Sequence, residues 1–229
     1  MASSKLSILA ETLIASEIVS LGATIKQKIN AGEKIFNYTI GDFDSTQFPI
    51  PHELKLAIID AYNNGFTTYP AADGELELRQ QVCRFMETHL GITYSTNEIL
   101  IDAGGRPLNY ATYRAIADKG DKVIYPVPSW NNNHYVHFTE GNHVLIEASP
   151  ENNFMPTADQ LKPHIKSASL IALCSPLNPT GTTFNKEELE AICDLIIEEN
   201  KTRGENEKKL YLMYDQIYWT LTFGSTTHY

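Results

Sequence analysis

An α/β fold, with a mostly parallel sheet sandwiched by helices and an N-terminal arm or helix segment ahead of it, is what this sequence predicts. Three observations carry that expectation. From residue 98 onward, short apolar runs at residues 99–101, 123–125, 144–146, 170–173 and 210–214 recur at crossover spacing. Short apolar strands separated by helix-length stretches argue for a sheet covered on both faces. The intervening stretches carry helix signals: Asn185 and Glu188 have the spacing of a capping box, and Leu189, Ile192, Cys193 and Ile196 share one face of a helix running to about Asn200. Finally, several runs end in glycine- or proline-rich turns, and open sheets of this kind place ligands at the carboxyl ends of their strands.

The elements follow in order. Residues 5–29 space Leu9, Leu13, Ile14, Ile18, Leu21, Ile25 and Ile29 roughly as a helix does, although Gly22 weakens one continuous helix. Residues 34–40 read as a short strand that ends at Gly41. Residues 51–64 form a helix candidate that begins with Pro51 and acidic residues and ends before Asn63-Asn-Gly65. The charged stretch 198–209 reads as a solvated helix end and loop before the last strand. No internal repeat or low-complexity segment interrupts this order.

Composition narrows the function. A chain of 229 residues with 42% hydrophobic side chains can bury a substantial core. The net charge of −10 comes from scattered acids, which argues against a nucleic-acid backbone as partner. Cys83, Cys174 and Cys193 lack metal-ligand spacing and read as buried free thiols of a reducing compartment. No run approaches the ~20 apolar residues of a membrane span, and no signal-peptide core is evident. The expectation is a cytoplasmic protein with no membrane partner and no metal.

Three turns carry chemistry. In Ser175-Pro-Leu-Asn178-Pro-Thr-Gly181, Pro179 fixes its own φ and biases Asn178 towards an extended conformation, while Gly181 can take a positive φ. The Asn178 amide is thereby held in a fixed direction at a strand end. Asp215 closes the next apolar run, with Tyr218 three residues further on. Gly104-Gly105-Arg106-Pro107 follows the first run and opens a helix through Ile116. Two glycines expose backbone N–H groups at a helix N-terminus that carries partial positive charge, which suits a phosphate.

Ser175-Pro-x-Asn178-Pro-Thr-Gly181 followed by Asp215-x-x-Tyr218 resembles the fold-type I pyridoxal-phosphate (PLP) enzymes, in particular class I/II aminotransferases of the aspartate aminotransferase superfamily. The resemblance implies PLP as cofactor and transfer of an amino group between an amino acid and a 2-oxo acid. It implies residues 1–50 as an N-terminal arm with part of the small domain, and residues 51–229 as the PLP-binding large domain, incomplete at its C-terminus. Gly104, Gly105 and Arg106 would then hold the cofactor phosphate, although Pro107 removes one N–H from the cradle. Trp130, at the end of Pro126-Val-Pro-Ser-Trp130, would stack on the pyridine ring. Asp215 would stabilise the protonated ring nitrogen, and Asn178 and Tyr218 would hydrogen-bond the ring's 3-oxygen.

Gly41, Trp130 and Asn178 would contact substrate. Gly41 matches a family glycine that admits the substrate carboxylate, but Gly41-Asp-Phe-Asp44 lacks the proline of that pattern. Tyr69, in Tyr69-x-x-x-x-Gly74-x-x-x-Leu78-Arg79, matches a tyrosine that reaches the neighbouring subunit's cofactor phosphate, which implies a homodimer with shared active sites. The Schiff-base lysine and the arginine that grips the substrate carboxylate would lie beyond Tyr229, and no lysine present matches that role. Two readings stay open beside this one. The first is another fold-type I lyase or synthase using the same cradle. The second is a shortened, non-catalytic chain that binds a partner or a phosphate ligand.

Overall fold

Four of the five apolar runs become strands, and they pair in parallel. The structure, a computed structural model, describes residues 6–39 and 41–229. In chain order its helices and strands are α1 Ile8–Glu11, α2 Glu17–Asn30, α3 His52–Asn63, α4 Leu76–Leu90, α5 Gly105–Ile116, β1 Lys122–Val127, α6 Asn132–Thr139, β2 Asn142–Glu147, α7 Ala158–Leu161, β3 Ala168–Cys174, α8 Lys186–Thr202 and β4 Tyr211–Asp215. The strands lie in the order β2-β1-β3-β4, every neighbour parallel. Two compact units divide the chain: one over Ile14–Asp102, the other over residues 103–229 with the described part of residues 1–13.

The sheet belongs to the second of these units, and its central strand explains why the sequence there is almost wholly apolar. β3 has neighbours on both edges and helices on both faces, so its residues 168–173 are all buried. The period of two in a strand sorts the side chains. Ile171 and Leu173 join Ile124, Ile146, Leu161 of α7 and Ile192 of α8 in one apolar cluster. Leu170 and Ala172 join Val123, Tyr125, Tyr113 of α5 and Val136 of α6 in the other. The α/β architecture expected from the sequence is therefore present, with α7 and α8 covering one face and α5 and α6 covering the other.

Three local expectations are corrected. Residues 99–101 are not a strand. The Ser95 and Glu98 side chains cap a 3-10 turn at Thr96–Glu98, and the N–H of Ile101 then donates to Asp73 O at 3.1 Å. Residues 34–38 are likewise irregular, and Ile40 lies outside the described residues. An apolar run becomes a strand only where a neighbouring strand takes its backbone groups. The N-terminal helix breaks at residues 12–16 instead of at Gly22, which sits inside α2. A helical glycine costs only about 1 kcal/mol relative to alanine, too little to end a helix.

The stretch 198–209 is also less solvated than its charge suggests. Arg203 and Glu199 form an ion pair at 2.9 Å with side chains 8% and 9% exposed. The same guanidinium donates to the carbonyls of Ile165 and Lys208 at 2.7 and 2.6 Å. Lys208 pairs with Asp118 and Asp121. The capping box at Asn185 and Glu188 forms as the sequence predicts.

In the unit over Ile14–Asp102, α3 stops before Asn64-Gly65, and the Gly74…Arg79 motif forms a tight corner. Arg79 donates to Gly74 O at 3.1 Å and Thr96 O at 2.9 Å, and pairs with Asp73 at 2.9 Å. Gly74 has a φ of +95°, and a Cβ there would come within 2.5 Å of Ile101 Cβ. Only glycine fits both conditions.

Ile171 is fully buried at the centre of the sheet. Ile171→Ala should lower unfolding free energy by about 3 kcal/mol. Urea denaturation would read this as a lower midpoint with an unchanged slope; a loss below about 1 kcal/mol would contradict the packing described.

Candidate functional site

Strand order puts the site where it is. The chain runs outward from β1 to β2, then crosses back to lay β3 on the other side of β1. The crevice beyond the carboxyl ends of the strands, at such a reversal, is where open α/β sheets bind ligands. A cavity of about 400 Å³ opens there, lined by the ends of β3 and β4, the residues that follow β1, β3 and β4, and the N-terminal parts of α5 and α6.

Backbone bonds shape the turn after β3. Leu177 N–H donates to Thr182 O at 2.8 Å and Gly181 N–H to Leu177 O at 2.7 Å, with Gly181 at φ +71°. The bonds preceding Pro176 and Pro179 are cis. Ser175 N–H reaches Asp215 O at 3.1 Å and so ties this turn to the end of β4. Asn178 Nδ2 then donates to the Tyr218 hydroxyl at 3.3 Å. The Asp215 carboxylate accepts from Ile217 N–H at 3.1 Å on Oδ1 and from Asn109 Nδ2 at 3.1 Å on Oδ2.

After β1 the chain turns through Pro128 and Trp130 into α6, held by the buried Asn132. Its Nδ2 donates to Ser129 Oγ at 3.0 Å, and its Oδ1 accepts the Tyr113 hydroxyl at 2.7 Å. At the start of α5, Gly104 takes a φ of +100° so that Gly105 and Arg106 enter the helix facing the cavity.

Six of the residues singled out from the sequence thus line one cavity: Gly105, Arg106, Trp130, Asn178, Asp215 and Tyr218. Gly104 stands just behind them as the cap of α5. With backbone N–H groups, a guanidinium, a carboxylate, an amide, a phenol and an indole, the cavity can hold a flat, anionic, aromatic ligand.

The sequence relationships agree with this geometry. The family model for aminotransferase class I and II matches residues 33–229. The chain belongs to that family. It is 29% identical over 221 residues to an aspartate aminotransferase of Bacillus sp. (strain YM-2), covering 96% of this chain and 53% of that one. It is 28% identical over 226 residues to an aspartate aminotransferase of Bacillus subtilis (strain 168), covering 98% and 54%. Among solved structures, the aspartate aminotransferase from Thermus thermophilus with maleate superposes with a TM-score of 0.87 at 28% identity, over 99% of this chain and 56% of that one. The chain spans about half the length of the curated relatives it matches. Its α/β sheet is that of the fold-type I large domain.

Two further expected site residues lie in the unit over Ile14–Asp102. Tyr69 sits in the loop between α3 and α4 with its side chain fully exposed, and Gly41 is exposed with open space around it. Seven lining residues were not expected at the site from the sequence: Asn109, Asn132, Tyr135, Leu173, Cys174, Met213 and Ile217. Asn109 carried one faint signal, a poor helix former one turn inside a helix. Burial raises the Tyr135 phenol above its usual range, against the opposing charge of Arg106 and a hydrogen bond from Asn109.

Burial also pushes the Cys174 thiol up to about 11; a hydrogen bond from the Asn178 backbone opposes the shift and the Asp215 charge adds to it. The thiolate is the reactive form. Alkylation of Cys174 by iodoacetamide, followed by peptide mass spectrometry, should therefore keep accelerating up to about pH 11. A plateau near the ordinary thiol value of 9.0 would contradict this environment.

Proposed function

We propose that this chain is the cofactor-binding portion of a PLP-dependent aminotransferase that moves an amino group between an amino acid and a 2-oxo acid. The observation that carries the reading is the convergence of Arg106, Trp130, Asn178, Asp215 and Tyr218 on one cavity. Those residues fit the cofactor group by group. Gly105 and Arg106, at the N-terminus of α5, would take its phosphate. Trp130 would offer an aromatic face to its ring. Asn178 and Tyr218, already 3.3 Å apart, would both reach its ring oxygen. The cavity volume falls in the range of small-molecule sites.

Bound there, the cofactor would supply an electron-withdrawing ring that stabilises negative charge on the substrate carbon. Asp215 would hold a proton at the ring nitrogen, because opposite charges stabilise each other in a poorly solvated site. Asn178 and Tyr218 would fix the ring's rotation in its plane, and Trp130 would keep water from one face.

Beyond the cavity, the reading includes residues 51–229 as part of the large domain, and a homodimer in which the exposed Tyr69 serves the partner's site. The names of the relatives support aspartate as the first amino donor to assay. Three free cysteines suit a reducing, cytoplasmic compartment.

In the intact protein, Asp215→Ala should leave PLP bound through its phosphate, measured as cofactor content by absorbance. Turnover of aspartate with a 2-oxo acid should fall by about a hundredfold or more, the scale of losing one electrostatic partner in a reaction site. Near-normal turnover would remove Asp215 from the role given to it.

A further inference from the structure

Asn109 is not called for by the phosphate-binding pattern at the start of α5. It stands four residues after Gly105, one helical turn further on, where a leucine or alanine would favour the helix more. The structure shows what its amide does instead. Nδ2 donates to Asp215 Oδ2 at 3.1 Å, across 106 residues of sequence. Asn109 also hydrogen-bonds Tyr135, and all three side chains line the cavity.

The arrangement around Asp215 has a geometric consequence. The terminal torsion of an aspartate is broad and only weakly preferred, so a carboxylate at a strand end can swing about it. The backbone N–H of Ile217 holds Oδ1, but that bond comes from the same loop and leaves the plane of the carboxylate unfixed. A second bond, on the other oxygen and from a different element, fixes that plane. A carboxylate only accepts hydrogen bonds and an amide nitrogen donates two, so Asn109 can serve Asp215 and Tyr135 together.

We propose that Asn109 is a positioning residue for Asp215: it sets the plane of the carboxylate that meets the cofactor ring nitrogen. Helix α5 then does two tasks one turn apart, receiving the phosphate at its N-terminus and aiming Asp215 at the ring. This inference rests on the PLP reading above. The competing role is purely structural, with Asn109 packing α5 against Tyr135. A structural role weakens every ligand of the cavity alike; a positioning role weakens only those with a ring nitrogen for Asp215 to meet.

The test compares two ligands on three proteins. Fluorescence titration of the intact protein would measure the affinity of PLP and of its 1-deaza analogue, in which C–H replaces the ring nitrogen, for wild type, Asn109→Leu and Asn109→Ser. The wild type should prefer PLP by about tenfold, the scale of one charge-assisted hydrogen bond. Both variants should lose most of that preference while binding the analogue as the wild type does. If the variants keep the full preference, or lose affinity for both ligands equally, the inference is overturned while the cofactor reading stands. Failure of both variants to fold would make Asn109 a structural residue and also overturn it. A wild type that binds neither ligand, or binds both alike, would overturn the cofactor reading itself.

Discussion

Parallel pairing of β3 with β1 on one side and β4 on the other is the constraint on which the rest of the structure depends. Parallel strands send all their carboxyl ends to the same edge, so the turns that follow them meet there. The pairing of Leu170–Cys174 with Tyr211–Asp215 brings the Asn178 turn beside Asp215, and the Ser175 N–H bond to Asp215 O continues the ladder past the last strand residue. The burial of β3 on both faces is what holds this pairing in register. A one-residue slip would exchange the two apolar sets of β3 side chains and carry the Asn178 turn out of place beside Asp215.

The site built on that edge is polar, but its polar groups are positioned by apolar packing and a few hydrogen bonds. Tyr113 is fully buried, and burial holds its phenol well above the usual range, so it stays a neutral donor to Asn132. Asn132 in turn holds Ser129 next to Trp130. Asn109 and the Ile217 N–H hold Asp215 in the same manner. Few such groups are interchangeable, because a buried donor left without its acceptor costs about 1–3 kcal/mol.

How much of this was legible in the sequence depended on the range of the cause. The positive φ of Gly181, the capping box at Asn185 and the helix start at Gly105 are set by residues next to one another, and each formed as read. The runs at 34–38 and 99–101 have apolar residues but, among the described residues, no strand beside them, and nothing local announces that absence. Arg203 and Lys208 read as solvated charges, because their partners Ile165, Asp118 and Asp121 come from other parts of the fold. Asn109 was missed for the same reason. Its partner is supplied by β4, and only the folded sheet brings the two together.

Nitrogen-15 NMR of ring-labelled PLP bound to the intact protein tests the central claim most directly, since it observes the atom that Asp215 is assigned to meet. The bound ring nitrogen should resonate as protonated in the wild type and as unprotonated in Asp215→Ala. An unprotonated nitrogen in the wild type, or a protonated one in both proteins, would contradict the account.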